Sequence, residues 1–243
     1  MTGDGWTEAV RRQLGLGRVL PLGGARDGTW VTEAAAGAVL RHAAQRVTGV
    51  RLGGLRVAPA DPGAACAPAV PPPPSALPPG PLRVTADFTA ATGLPLSAAA
   101  DRLRAALHEA ARGLGLAAEE VDLRVTALLD VGEGIGPEED VRPPAPRPPA
   151  AQVPAGEGDE ARAGQAALAV PGVTRLTGAL GPAVVVEERP APGALSRRHV
   201  RVELATGHAH RALDVALAVR AAVGDALADH PSVAVLVTAV ETP

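Results

Sequence analysis

From Leu82 to Thr89 the chain alternates strictly: Leu82, Val84, Ala86 and Phe88 are separated by Arg83, Thr85 and Asp87, which predicts a strand with one dry and one wet face. The spacing then lengthens. Leu103, Leu107 and Leu114 fall on one side of a helix whose other sides carry Arg102, Arg104 and Glu109, with Ser97 as its cap and Gly113 and Gly115 as its stop. Alternation returns from Val121 to Leu129. Upstream, Thr32 is placed to cap a helix carrying Val39, Leu40, Ala43 and Ala44, with Glu33 favourable to its dipole, and Val47 and Gly49 close it before a strand from Val50 to Val57. The order helix, strand, strand, helix, strand then recurs. A helix is expected over 161–169, strands near Val184–Glu188 and His199–Ala205, and a long helix over 211–228. That helix carries Val215, Ala216, Val219, Ala222, Val223 and Leu227 on one stripe, and Asp229-His230-Pro231 breaks it before a last strand at Val233–Val237.

The recurrence extends to register. Ala91-Thr92-Gly93 and Ala205-Thr206-Gly207 stand 114 residues apart, the interval that also relates Val121 to Val235, while Val47-Thr48-Gly49-Val50 and Val170-Pro171-Gly172-Val173 stand 123 apart. The chain is therefore expected to hold two divergent copies of one small α+β unit, each with helices packed on a short sheet. The expected division is an N-terminal segment (1–29, with Trp6, Val10 and Leu14 as an amphipathic docking segment or frayed helix), a first unit (30–130), a flexible acidic Pro/Gly linker (131–160) and a second unit (161–243). Within the first unit, residues 58–81 contain four consecutive prolines, Pro71 to Pro74, and are expected to be an exposed loop, an insertion rather than a polyproline ligand.

Composition sharpens this picture in two ways. Hydrophobic residues make up 47% of the 243 positions but aromatics only 1%, so the cores must be built from Ala, Val and Leu. A net charge of −3, with no concentrated basic face, argues against nucleic acid as a partner. Cys66 is the lone cysteine, which fits a reducing compartment, and the absence of a leader or a long apolar run points to a cytoplasmic chain without direct membrane insertion.

Candidate chemistry is sparse. His208 and His210 flank the turn after Gly207 and are the best case for a metal- or small-molecule-sensing module, the alternative reading, although no third ligand type is fixed nearby. His42, His108, His199 and Asp214 stand alone, Cys66 lacks a paired histidine, and the glycine clusters at 49–54 and 132–136 lack the strand and Lys that a phosphate loop needs. No catalytic, cofactor-binding or metal residue is assigned, and an enzyme is not expected.

Trp30-Val31-Thr32-Glu33 opening a helix, the Val-Thr-Gly-Val and Val-Pro-Gly-Val turns closing one, the hairpin, the striped helix and the final strand together resemble the alkaline shock protein family, the envelope stress response proteins of Gram-positive bacteria. The resemblance covers about two thirds of the chain. It implies a non-enzymatic, self-associating protein at the inner face of the cell membrane, held there by a membrane-associated protein partner. One contrast selects an interaction surface. Asp122, Arg124 and Thr126 make one face of Val121–Leu129 wet, whereas Ala234, Leu236 and Val240 leave the last strand apolar on both faces. Leu236, Val240 and Ala234 are therefore the expected interaction residues, and the cover that makes an intermolecular contact is sought there.

Overall fold

Thr32 caps a helix as its sequence suggests, its hydroxyl accepting from the Ala35 amide at 3.3 Å, but Trp30 and Val31 before it are already in a strand. That difference reorganises the domain plan. The computed structural model describes residues 15–93, 95–129, 148–154, 156–191 and 194–241. Along these the order is β1 (Val19–Leu22), β2 (Thr29–Thr32), α1 (Glu33–Gln45), β3 (Val50–Pro59), β4 (Leu82–Ala91), α2 (Leu96–Leu114) and β5 (Ala118–Leu129). After these come α3 (Asp159–Leu168), β6 (Val173–Leu176), β7 (Val184–Ala191), β8 (Ala194–Gly207), α4 (Ala212–Ala226) and β9 (Ser232–Glu241). The class is α+β, as expected. The chain divides into two units, and their boundaries differ from the expected ones. A smaller unit takes Ala36–Ala65 and the chain from Gly80 through β5; a larger unit takes the chain up to Ala35, Cys66–Pro79 and everything described from residue 148 onward.

The smaller unit is a three-stranded sheet, β3-β4-β5, with β3 antiparallel and β5 parallel to β4. Its dry face holds Leu82, Val84, Ala86 and Phe88, and α2 packs along β5 with Leu103, Leu107, Ala111 and Leu114 buried. The helix starts after Pro95 with no side-chain cap, so Ser97 does not play that part; Gly115, at φ 99°, ends it in the left-handed conformation that favours glycine. Gly53 and Gly54 make the bulge in β3 where it crosses Asp87.

The larger unit is a six-stranded sheet in the order β1-β2-β9-β8-β6, with β7 also on β8. The helices α3 and α4 pack on each other, and α4 lies along β9, with Val215, Ala216, Val219 and Val223 buried as the stripe predicts. The stretch 1–29 is thus not simply a docking segment. Val19–Leu22 is a fully buried strand whose pairing with β2 is antiparallel, and β2 in turn runs parallel to β9 with Trp30 opposite Leu236; Trp6, Val10 and Leu14 lie outside the described residues. The expected linker also changes. Most of 131–160 lies outside the described residues, but Ala150 bridges Thr177, the Ala151 amide donates to the Leu176 carbonyl at 3.1 Å, and α3 already begins at Asp159.

Both units repeat one ladder, with a corrected register. A bulge interrupts the parallel pairing after Phe88 in β4 and after Leu204 in β8, an interval of 116, while their partners Val125 and Val237 stand 112 apart. The difference of four is the difference in length between α2, with 19 residues, and α4, with 15. The 114-residue interval between the Thr-Gly dipeptides is the mean of the two, and a single interval holds only for helices of equal length. The interval of 123 for the first strand stands: Val50 faces Ala90 and Val173 faces Thr206. The turn before each is built alike. Gly49 (φ 76°) and Gly172 (φ 94°) accept from the amides of Ala91 and Gly207 at 3.0 and 2.9 Å, and a side chain on Gly172 would collide with Val215 and His210.

Candidate functional site

The expected interaction residues lie inside the larger unit. Ala234 and Leu236 are fully buried in a cluster with Val19, Trp30 and Val70, and Val240 is half-buried. Their cover comes from the chain itself. Val70 sits at the head of the proline run and reaches the sheet, the Leu77 amide donates to the Val19 carbonyl at 2.8 Å, and Ala76 bridges Val19. The expectation that 58–81 is a wholly exposed loop is therefore corrected. Residues 66–79 lid the strand whose sequence pattern is apolar on both faces: Val70, Pro73 and Pro79 are buried, and the prolines are already extended and lose little freedom on ordering.

Beside that cluster β8 carries His199, Arg201 and Glu203 on one face. Glu203 is fully buried; one oxygen accepts from the amides of Ala179 and Leu180 at 2.8 and 3.0 Å, and the other faces the Arg201 guanidinium at 3.4 Å. Burial pushes its carboxyl up to about 7, against the pull of those donors. His199 is buried too, its Nδ1 2.8 Å from the Ser232 hydroxyl. Burial first, then the charge of Arg189, pushes it down to about 4. These two titratable groups pin the turn at 179–180 and the β8–β9 ladder. Alternation alone hinted at them, since an apolar run broken by His, Arg and Glu at every second position marks a polar row.

The remaining candidates do not converge. His208 and His210 are exposed, with His208 Nδ1 3.3 Å from the Glu241 carbonyl, and among the described residues no group of three His, Cys, Asp or Glu is placed to hold a metal ion. Cys66 is exposed; Asp214 is exposed and pairs with Arg211 at 3.3 Å. A depression of about 310 Å³ between α2 and β5 is lined by Asp101, Arg104, Ala105, His108, Glu119 and Val121, where Arg104 is already bonded to Asp101 at 2.8 Å.

What stands out is β5 itself. It is the edge of the smaller sheet, 12 residues long, and the side chains that continue its dry face are poorly covered: Val121 and Leu123 are half-buried, and Val125 and Leu128 are 36% and 57% exposed. Leu96, at the start of α2, is exposed as well. On the wet face, Arg83 pairs with Glu120 at 2.5 Å and Asp122 at 3.4 Å, and Arg124 with Asp87 at 2.8 Å. Arg124 holds the Asp87 carboxyl below its usual range. Among the described residues no further strand pairs with β5, whose Val121 carbonyl accepts from Arg104 Nε at 3.4 Å, and a sheet edge beside uncovered apolar side chains is a template for strand addition.

Among the described residues no helix is long and apolar enough to cross a membrane. No family model matches the chain, and no curated protein or solved structure is significantly similar to it, so the site rests on its own geometry.

Proposed function

We propose that this chain is a non-enzymatic interaction and scaffold protein that engages its partner by strand addition at β5, in keeping with the envelope stress role that the alkaline shock resemblance implies. On this reading the protein works at the inner face of the membrane through an envelope-associated partner or through self-association, and binds neither nucleic acid nor a cofactor. The single observation that carries it is the open β5 edge with Val125 and Leu128 uncovered. Exposed, such an edge is an aggregation risk, and a covering partner removes that risk. The strand it replaces in the expectation, β9, has its cover already. A photo-crosslinking residue at Ala127, exposed on β5, tests the reading in the native host, with Asp225 on α4 as an exposed control. Adducts are expected from Ala127 and not from Asp225; equal yields, or none from Ala127, overturn the assignment of the edge.

A further inference from the structure

The residues along β5 read the same way in both directions in polarity, with the sign of charge inverted. Val121-Asp122-Leu123-Arg124-Val125 is symmetric about Leu123, with apolar residues at the ends and centre and opposite charges between. Val121, Leu123 and Val125 lie opposite Val84, Ala86 and Phe88, on the helix-covered face; Asp122 and Arg124 lie opposite Thr85 and Asp87, on the wet face, with 61% and 76% of their side chains exposed. We propose, building on the strand-addition reading above, that this edge pairs with the β5 edge of a second copy of the chain, antiparallel and centred on Leu123. The three-stranded sheets of two smaller units then form one continuous sheet.

Register follows from electrostatics. Centred on Leu123, each Asp122 faces the Arg124 of the other copy, and Val121 faces Val125, so both faces of the seam are matched. Centring on Asp122 sets Glu120 against Arg124 but also Asp122 against Asp122, centring on Arg124 sets Arg124 against Arg124, and centring on Val121 sets Glu120 against Asp122, so the Leu123-centred register is the one free of like-charge contacts among these residues. Parallel pairing of the two β5 strands would place the copies in non-equivalent environments, whereas the antiparallel pair closes on a two-fold axis. The ion pairs already present extend across the seam, from Arg83 through Asp122 to the partner's Arg124 and the partner's Asp87. The occupant differs in kind from the one in the larger unit. Shifted by 112, Asp122 and Arg124 correspond to Ala234 and Leu236, which take the apolar strand with Trp30; the charged β5 instead supplies its own complement.

The test is sedimentation velocity on the full chain with charge variants, folding being checked by circular dichroism. The parent is expected to dimerise reversibly. Asp122→Arg and Arg124→Asp should each weaken self-association by about tenfold or more, because each sets like charges across the seam. Two recoveries are then required: the double exchange Asp122→Arg/Arg124→Asp should dimerise again, and the two single variants, mixed, should form a heterodimer although neither pairs with itself. Misfolding of a single variant cannot imitate the second recovery. A monomeric parent, or single variants that dimerise like the parent, overturns self-pairing. The crosslinker at Ala127 separates this outcome from failure of the broader reading: an adduct between copies supports the proposal, an adduct with a different protein overturns self-pairing and leaves strand addition standing, and no adduct overturns both.

Discussion

Strands β9 and β5 end equivalent ladders, yet one is buried from both sides and the other is left at an edge. In the larger unit β2 adds to β9 in parallel, β1 adds to β2, and residues 66–79 close over Ala234 and Leu236. In the smaller unit nothing among the described residues pairs with the far side of β5, and the corresponding positions are Asp122 and Arg124. Side-chain polarity follows the fate of the edge. An apolar pair is placed where the chain itself supplies the cover, and an ion-pairing couple where the edge meets water, so a strand that looks stickier in sequence is the quieter one in the fold.

The largest effect that sharpens this contrast comes from exchanging the two chemistries. Leu236→Arg should cost several kcal/mol and unfold the larger unit, since it forces a long charged side chain into the packed cluster beside Trp30; urea titration followed by tryptophan fluorescence reads it. Arg124→Leu, the reverse exchange on an exposed strand, should leave the unfolding midpoint nearly unchanged. If both variants shift the midpoint alike, the two edges are not in different environments.

Next in size is an effect hidden in the parent. In the folded chain Glu203 keeps its proton up to about pH 7, whereas the unfolded carboxyl loses it near 4.5, so its contribution is full below 4.5 and stability falls as pH rises to about 7. The expected fall is about 3 kcal/mol. His199 works in the opposite direction. Folded, it stays neutral down to about 4, while the unfolded ring gains a proton near 6.5, so stability is full above 6.5 and falls as pH drops towards 4. Over roughly pH 4.5 to 6.5 the two slopes oppose each other in the parent. Glu203→Gln should therefore expose a stability that rises with pH, and His199→Phe one that falls with it, in denaturant titrations across that window. Matching profiles in the parent and both variants would remove these groups from the account.

The lid over β9 is a smaller lever. Val70→Ala should cost about 1–3 kcal/mol by thinning the cluster, while Pro72→Ala, two residues on and exposed, should cost little. Equal losses would mean that the proline run, and not Val70, anchors the segment. Smallest of all, Asp87→Asn removes an exposed ion pair and should leave the melting temperature within error, with any change confined to low salt.

Much of the fold was legible because it is local. The stripe Leu103, Leu107 and Leu114, the stripe Val215, Val219 and Val223, and the alternation of β4 each show up as a period, and each proved buried on the side the period indicated. Partner choice has no such signature. Nothing near Trp30 signals that it pairs with Leu236, some two hundred positions later, and one valine ahead of four prolines does not register in a composition-based reading of that segment as solvent-exposed. The site was half legible. The contrast between Asp122-Leu123-Arg124 and Ala234-Val235-Leu236 was visible, but which face lacked a cover depended on contacts that only the folded chain supplies.

The interleaving of the two units bears on synthesis. The smaller unit's strands have all been synthesised once β5 is made, so that unit can close before β9 exists, whereas β2 must wait for β9. During the interval Trp30, Val31 and the lid at Val70 are without their partner strand. A chain that ended between β5 and β9 would hold one finished body and one apolar strand without its partner.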